Sequence, residues 1–278
     1  MSTDLEQREA WHRAASGWER WQAEVREVTA PVSEWLVNAI DPEPGQRVLE
    51  LAAGPGETGF LAAQRLGRDG ALLSTDQSPD MVEVARRRAA ELGLENVEFR
   101  VLDGQEIDLD ERSFDAVLCR WGYMLMSDPD AAVRGTHRVL REGGRLALAT
   151  WDTPDRNLWM SAPVMQLIAR GAFPPPEPGA PGPFSMADTA QLEQRLADAG
   201  FQQIGTEKVE FDHVYPSFEQ YWEMSIDLAA PLAAALAELD EATVTEVREA
   251  VRGVLASFAA SDGSLRIPAS AVVAKASA

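Results

Sequence analysis

The chain has 278 residues, of which 45% are hydrophobic and 25% are charged, a balance typical of a soluble globular protein. Its formal net charge of −20 disfavours nucleic acid as a partner, because nucleic-acid affinity depends on Lys and Arg that neutralise phosphates. A single cysteine excludes an intrachain disulfide and a cysteine-cluster metal site. No apolar run approaches the roughly 18 residues of a membrane span, and the charged N-terminus lacks the apolar core of a secretory signal. We therefore expect a cytoplasmic protein, without a membrane span or a metal, that acts on a small molecule.

The first forty residues are predicted to be helical. Trp11, Trp18 and Trp21 belong to a stripe at spacings of three and four, which is typical of an amphipathic helix. A second helix is predicted to start near Pro31 and to end before the breaker "DPEPGQ".

Strands and helices are then predicted to alternate from residue 47 to residue 151. The five segments with strand character are 47–52, 70–76, 97–103, 114–121 and 145–151. The helix after the second strand has Ser78 as its N-cap and Gly93 at its end. This alternation indicates a mostly parallel sheet with helices on both faces. Ligands of such sheets bind beyond the carboxyl ends of the strands.

The regular alternation ends after Trp151. Residues 173–184 are rich in Pro and Gly and are predicted to form a surface or lid loop. A helix follows in "DTAQLEQRLADAGF", then a sixth strand in "EKVEFDHVYP", helices over 217–260 and a last strand in "SLRIPASAVVAKA".

The stretch "LELAAGPGETGF" contains a G-x-G-x-x-G pattern at Gly54, Gly56 and Gly59. Alone the pattern is a weak signal, compatible with an NAD site, with another adenosine cofactor or with a tight turn. Three carboxylates at successive strand ends separate these alternatives. Glu50 suits a ligand amine, Asp76 suits both hydroxyls of a ribose, and Asp103 with its neighbours suits the exocyclic amine of adenine. An amine, a ribose and an adenine without a phosphate describe S-adenosylmethionine.

A family resemblance is carried by "VLELAAGPGETG", "STDQSPDMVEVARRR", "VLDGQEI" and "FDAVLCRWGYMLMSDPDAAVRGTHRVLREGGRLALATW". In order and spacing the chain resembles a class I S-adenosylmethionine-dependent methyltransferase of the UbiE/Coq5-like, methyltransferase 11 type, over about residues 45–152. The resemblance implies a Rossmann-like, doubly wound α/β fold whose seven-stranded sheet is mostly parallel with the last strand antiparallel. Ala52 departs from the family, because it replaces the first glycine of the usual loop.

The resemblance also implies roles for single residues. Glu50, Ala52, Gly54 and Gly56 would lie at the methionine end of the cofactor, and Asp76 at its ribose. The residues implied at the adenine are Gln77 and Met81 on its faces and Asp103, Gly104 and Gln105 at its edge. Cys119 and Arg120 would lie under the methionine portion. Met81 could equally be a core methionine.

Aromatic residues are candidates for the space around the reacting atoms. Trp18 could face the sulfonium, since an indole face attracts a cation, and Trp21 could contact the acceptor, but both could simply pack in a helix. After the fourth strand, Trp121, Tyr123 and Met124 could line an apolar acceptor site or belong to the core.

Two histidines are candidates for a general base. His213 lies near the end of the sixth strand and His12 near the tryptophans, and either could take a proton from the acceptor. Cys119 is predicted to be a small buried strand residue and not a nucleophile.

These inferences predict methyl transfer from S-adenosylmethionine to a carbon or oxygen of a small apolar or aromatic acceptor, with S-adenosylhomocysteine as product. Residues 1–44 would form a helical cap segment, and residues 45–278 the methyltransferase domain, with cap insertions at about 152–186 and 217–260. An NAD(P)-dependent oxidoreductase is the alternative enzyme, although no Tyr-x-x-x-Lys pattern is present. A regulatory protein that binds S-adenosylmethionine without methylating stays open, and so does a homodimer.

Overall fold

The structure is a computed structural model, and it describes residues 16–278. These residues form one seven-stranded sheet with the strand order β3-β2-β1-β4-β5-β7-β6. Its strands are β1 (Arg47–Glu50), β2 (Ala71–Asp76), β3 (Val97–Val101), β4 (Phe114–Arg120), β5 (Leu140–Trp151), β6 (Gln202–Tyr215) and β7 (Leu265–Ser277).

The pairing of the strands confirms the predicted fold class. β1 lies between β2 and β4 and is parallel to both, β3 is parallel to β2, and β5 is parallel to β4. β7 runs antiparallel to β5. The central positions of the inner strands are apolar, and Val48, Leu49, Val117 and Leu118 are fully buried. Continuous apolar strands are typical of a parallel sheet that is covered on both faces.

Nine α-helices accompany these strands within the described part of the chain. They are α1 (Gln22–Ile40), α2 (Glu57–Leu66), α3 (Pro79–Glu91), α4 (Pro129–Val139), α5 (Leu158–Ala169), α6 (Thr189–Asp198), α7 (Phe218–Leu228), α8 (Ala230–Ala237) and α9 (Glu241–Leu255). A short 3-10 turn at Tyr123–Leu125 follows β4.

Side-chain caps fix where several helices start. The Ser78 hydroxyl accepts a hydrogen bond from the Met81 amide at 3.4 Å, as the sequence predicts, and Asp128 and Asp240 cap α4 and α9 in the same way. Such caps satisfy backbone N–H groups that have no partner inside the helix. α3 ends at Glu91, and Gly93 follows it in the left-handed region, where glycine is favoured.

The predicted helix start at Pro31 is wrong. α1 continues through Pro31 from Gln22 to Ile40. An internal proline removes one helical hydrogen bond and costs about 3 kcal/mol. Burial compensates for this cost, because Val32, Leu36 and other apolar side chains of the same helix are fully buried.

Two strand starts also differ from the sequence expectation. β5 begins at Leu140 and not at 145, because Leu140 pairs with Phe114 before an irregularity after which Arg145 pairs with Ala116. Gly143 has φ +73° in this irregular stretch. β6 begins at Gln202, five residues before the predicted segment at 207.

The described residues divide into two compact units. Unit one contains residues 16–28, 153–180 and 210–270, and unit two contains 29–152, 181–209 and 271–278. The core of unit one consists of buried apolar residues that include Trp21, Leu167, Tyr221, Val251 and Leu255. No helix in residues 16–278 combines the length and the apolar character that crossing a membrane requires.

Leu255→Ala should destabilise unit one by about 2–5 kcal/mol, because it removes a fully buried side chain and leaves a cavity. Val254 precedes it on α9 and is 39% exposed, so Val254→Ala is the matched control and should change the stability by less than about 1 kcal/mol. Urea unfolding followed by circular dichroism measures both. Equal losses in the two variants would contradict the placement of the core.

Candidate functional site

The loop that follows β1 turns the chain by means of three residues in the left-handed region. Ala52, Gly54 and Gly56 have φ of +51°, +54° and +87°. A Cβ at Gly54 would meet nothing within 4 Å, whereas a Cβ at Gly56 would lie 2.4 Å from the Phe60 ring. Gly54 therefore leaves open space beside the loop, and Gly56 is needed for close packing at the start of α2. Ala52 is the exception, since a residue with a Cβ is disfavoured in this region.

Glu50 ends β1 and is buried, with 2% of its surface exposed. Its Oε1 accepts a hydrogen bond from the Gly59 amide at 2.8 Å, and its Oε2 accepts one from the Ser74 hydroxyl at 3.5 Å. Burial raises the pKa of Glu50 to about 8, although the Gly59 N–H and the positive charge of Arg120 act in the opposite direction. A further positive partner beside this carboxyl would lower its pKa and favour the ionised form.

The third glycine of the pattern, Gly59, makes room for the Glu50 carboxylate. A Cβ at Gly59 would lie 2.2 Å from Glu50 Oε2 and 2.9 Å from the Leu72 side chain. Since Gly59 lies in α2 without a positive φ, contact with the carboxylate is the reason for glycine at this position.

Asp76 ends β2 and fixes the glycine loop. Its Oδ2 accepts a hydrogen bond from the Gly54 amide at 2.9 Å, and its Oδ1 accepts one from the Ser78 amide at 2.9 Å. Burial raises the pKa of this carboxyl, and the backbone N–H groups oppose that shift. A carboxylate has about four lone-pair sites, so Asp76 can accept further hydrogen bonds from a ligand.

Asp103 and Gln105 join the loop after β3 to the loop after β4. Asp103 Oδ1 accepts hydrogen bonds from the Gln105 amide at 3.0 Å and from its side chain at 3.2 Å. The Gln105 Oε1 accepts from the Ser127 hydroxyl at 2.8 Å and from the Asp128 amide at 2.7 Å. A Cβ at Gly104 would lie 2.5 Å from the Met126 methyl group. The sequence did not indicate these links to Ser127 and Asp128.

The residues expected at the faces of the adenine differ in exposure. Gln77 is partly exposed, whereas Met81 is buried in α3. Both follow Asp76 closely in the chain.

Cys119 and Arg120 end β4. Burial raises the pKa of the Cys119 thiol to about 12, so the thiol stays protonated at neutral pH and is a poor nucleophile. Burial lowers the pKa of Arg120 to about 10, which leaves the guanidinium charged. Its Nη1 donates hydrogen bonds to the hydroxyls of Thr29 and, at 3.3 Å, Ser33. No sequence pattern indicated these two hydroxyl partners, which come from α1.

The residues after β4 fall into two groups. Trp121 has φ +58° and its ring stacks on Trp151, with 4.1 Å between the ring centroids and 10° between the planes. Tyr123 is fully buried and its hydroxyl is 2.7 Å from the Thr136 hydroxyl. Tyr123 therefore has the core position that the sequence also allowed, and a contact of Tyr123 with the acceptor stays a prediction.

Met124 is also buried, and its backbone joins two loops of unit two. The Met124 carbonyl accepts hydrogen bonds from the Gly182 amide at 2.9 Å and from the Ser185 hydroxyl at 2.8 Å. The end of the Pro/Gly-rich segment is thereby held to the loop after β4.

His213 belongs to unit one and is 4% exposed. Its ring stacks on Trp159 at 3.9 Å, and its Nδ1 lies 3.1 Å from the Tyr215 hydroxyl. Burial lowers the pKa of His213 to about 3, far from the neutral value that an efficient general base needs. The lowered pKa does not favour a general base at His213, and its catalytic role stays a prediction. His12 lies outside the described residues.

Trp18 and Trp21 also lie in unit one. Trp21 is buried and its Nε1 donates a hydrogen bond to Asp227 at 2.8 Å, while Trp18 packs against the core of the unit. Their expected contacts with cofactor and acceptor stay predictions.

The side chains at the ends of β1 and β2 fit a ligand that carries a cation and a ribose. Glu50 offers a buried carboxyl whose ionised form a positive partner would favour, and Asp76 has acceptor capacity for hydroxyls. Open space beside Gly54 gives such a ligand room next to the backbone. Among the described residues, no group of three or more His, Cys, Asp or Glu side chains is arranged to hold a metal ion.

Comparison with known proteins identifies the segment that carries this site. Residues 42–173 match the family model described as "Methyltransferase domain". The aklanonic acid methyltransferase DauC of Streptomyces sp. is 33% identical over 124 residues, which cover 45% of this chain and 56% of that protein. A ubiquinone/menaquinone biosynthesis C-methyltransferase UbiE of Xanthomonas oryzae is 33% identical over 112 residues, which cover 40% of this chain and 44% of that protein. The chain thus spans about half the length of these relatives.

A solved structure shares the fold. The YcgJ protein of Bacillus subtilis aligns with a TM-score of 0.57 at 18% identity, over 88% of this chain and 97% of that one. At this identity the likeness concerns the fold alone.

Gly59→Ala should lower the stability by about 1–3 kcal/mol, because the new methyl group would overlap the Glu50 carboxylate. Gly253→Ala in α9 is the matched control. A Cβ there meets nothing within 4 Å, so this variant should gain about 0.5–1 kcal/mol of helix stability. Thermal unfolding of both variants measures the difference. A Gly59→Ala chain as stable as the control would show that Glu50 does not occupy this position.

Glu50 should make folding stability depend on pH. Its pKa is raised from 4.5 to about 8 on folding, so the folded chain binds more protons than the unfolded chain between these values, and stability falls as the pH rises from about 4.5 to 8. Glu50→Gln keeps an oxygen for the Gly59 amide but cannot ionise. Urea unfolding at pH 5 and pH 8 should show a smaller loss in Glu50→Gln than in the wild type. Identical losses would contradict a raised pKa at Glu50.

Proposed function

We propose a methyl-transfer function on the premise that residues 42–173 are a class I S-adenosylmethionine-dependent methyltransferase domain of the UbiE-like type. The protein transfers a methyl group from S-adenosylmethionine to a carbon or an oxygen of a small aromatic, quinone-like or polyketide acceptor. One observation carries the proposal: buried Glu50 and Asp76 end neighbouring parallel strands, and they accept hydrogen bonds from the Gly59 amide in the first turn of α2 and from the Gly54 amide of the glycine loop.

The cofactor, when bound, supplies a methyl group activated by its positively charged sulfur. Glu50 would accept hydrogen bonds from the ammonium of its methionine portion, and this positive charge would favour the ionised form of Glu50. Asp76 accepts hydrogen bonds from the ribose hydroxyls while it continues to hold the Gly54 amide. Asp103 and Gln105 lie at the end of the next parallel strand, where the adenine edge is expected.

The chain's own residues accelerate the reaction mainly by positioning. An in-line displacement needs the acceptor atom about 3–3.5 Å behind the methyl carbon. Neither His213 nor Cys119 exchanges a proton near neutral pH, since burial moves the pKa of the first to about 3 and of the second to about 12. An acceptor that loses its own proton readily, such as a phenol or an enol, fits this arrangement. The buried positive charge of Arg120 favours its anion.

The acceptor class rests on two kinds of support. The relatives include enzymes named for aklanonic acid and for ubiquinone and menaquinone biosynthesis. In this chain the partly exposed Trp121 at the end of β4 stacks on the buried Trp151 at the end of β5, and an aromatic side chain such as Trp121 suits a planar ligand.

Unit one contains most of the residues that the sequence analysis predicts to form a cap. The proposal includes this cap role for unit one. The same proposal includes a cytoplasmic location and a small molecule, not a nucleic acid, as the partner.

Calorimetric titration with S-adenosylhomocysteine tests the cofactor assignment, with NAD⁺ in a parallel run. Asp76→Ala should weaken binding of S-adenosylhomocysteine by about 1–3 kcal/mol, because it removes a charged acceptor of ligand hydrogen bonds. Asp108→Ala is the matched control, since the Asp108 side chain is 98% exposed and pairs only loosely with Arg100 at 3.6 Å. Binding of NAD⁺ alone, or equal affinities in the two variants, would refute the assignment.

A further inference from the structure

Trp121 has an unusual backbone conformation for a bulky residue. Its φ of +58° lies in the left-handed region, which is disfavoured for any residue with a large side chain. The Trp121 amide donates a hydrogen bond to the Ala149 carbonyl at 2.8 Å, which holds the backbone in this conformation. Strain of this kind persists where the surrounding structure enforces it, and it occurs preferentially at functional sites.

The indole N–H of Trp121 is the second unusual feature. Its Nε1 is buried and has no hydrogen-bond partner among residues 16–278. Trp21 and Trp35 show the usual arrangement, because their indole N–H groups donate to Asp227 and Glu207. A buried donor without an acceptor is destabilising, so its presence requires an explanation. Trp121 as a whole residue is partly exposed.

The surroundings of the ring strengthen this donor. The Arg120 guanidinium carbon lies 4.8 Å from the centroid of the Trp121 ring. A cation near the ring withdraws electron density from it, which makes the N–H more polar. Trp151 stacks on the same ring at 4.1 Å and fixes its plane.

Trp121 is also adjacent to the glycine loop. A Cβ at the next residue, Gly122, would lie 2.6 Å from the Ala52 Cβ and 2.7 Å from the Cys119 sulfur. The chain segment that carries the free N–H thus contacts the loop to which the cofactor is assigned.

We propose that the indole N–H of Trp121 donates a hydrogen bond to a phenolic or enolic oxygen of the acceptor, an inference that rests on the proposed function. The hydrogen bond holds the acceptor in register with the methyl group and stabilises negative charge on its oxygen. In the transfer, a carbon or oxygen of the acceptor forms a bond to the methyl carbon. The carbon–sulfur bond breaks with its electron pair left on sulfur, and the acceptor's proton passes to water. Trp121 would therefore select acceptors that carry an oxygen on a planar ring.

The test compares two probes that differ by one oxygen, 1-naphthol and naphthalene, in the presence of saturating S-adenosylhomocysteine. The variants are Trp121→Phe, which keeps a ring but lacks the N–H, and Trp35→Phe, which loses an N–H that is bonded to Glu207. Trp121→Phe should bind 1-naphthol about three- to tenfold more weakly than the wild type and naphthalene with unchanged affinity. Trp35→Phe should match the wild type with both probes.

Indole N–H signals in nitrogen–proton correlation spectra provide a readout that does not depend on affinity. Comparison with Trp121→Phe, or with Trp121→Tyr if that chain does not fold, assigns the Trp121 signal among those of the eight tryptophans. 1-Naphthol should move this signal downfield, and naphthalene should not.

Three results would overturn the inference. The wild type could bind 1-naphthol no more tightly than naphthalene, Trp121→Phe could bind 1-naphthol as tightly as the wild type, or S-adenosylhomocysteine alone could move the Trp121 signal downfield. The last result would assign the N–H to the cofactor. Failure of the wild type to bind S-adenosylhomocysteine at all would instead refute the proposed function, and the inference with it.

Discussion

The hydrogen bond from the Gly59 amide to the buried Glu50 carboxylate is the contact around which the site is organised. It joins the end of β1 to the first turn of α2 and forces glycine at position 59, where a methyl group would overlap the carboxylate. Burial of Glu50 disfavours its charge, and one amide and one hydroxyl compensate only partly. A cationic ligand would complete this compensation. The burial of Glu50, which shapes the loop, therefore also favours the binding of a cationic ligand.

The glycine pattern combines three separate physical requirements. Gly54 leaves open space, Gly56 permits close packing on Phe60, and Gly59 makes room for Glu50. Ala52 occupies a left-handed conformation in which a glycine would be less strained. Its methyl group lies where Gly122 of the loop after β4 approaches most closely. Ala52 thus contributes to the contact between the glycine loop and the segment of Trp121.

The sequence predicted the sheet and the strand-end carboxylates because both depend on local patterns. Apolar runs locate β1, β2 and β4, and in a parallel sheet the ends of neighbouring strands meet at one edge. Contacts between residues that are distant in the chain produce no local pattern in the sequence. The bonds of Arg120 to Thr29 and Ser33 join residues about ninety positions apart, and the burial of Tyr123 depends on its bond to Thr136. Helix α1 continues through Pro31 because the burial of its apolar side chains compensates for the cost of an internal proline.

Burial also decides which titratable groups can take part in chemistry. It keeps the His213 imidazole neutral and the Cys119 thiol protonated, so neither changes its charge near neutral pH. Arg120 is partly buried and keeps its charge, since its lowered pKa of about 10 is still above neutrality. At the end of β4, Arg120 thus offers a fixed charge and Trp121 a polarised N–H, whereas Glu50 at the end of β1 titrates near neutral pH. Such a site acts by orientation and electrostatics, and its choice of acceptor would follow from how readily the acceptor itself gives up a proton.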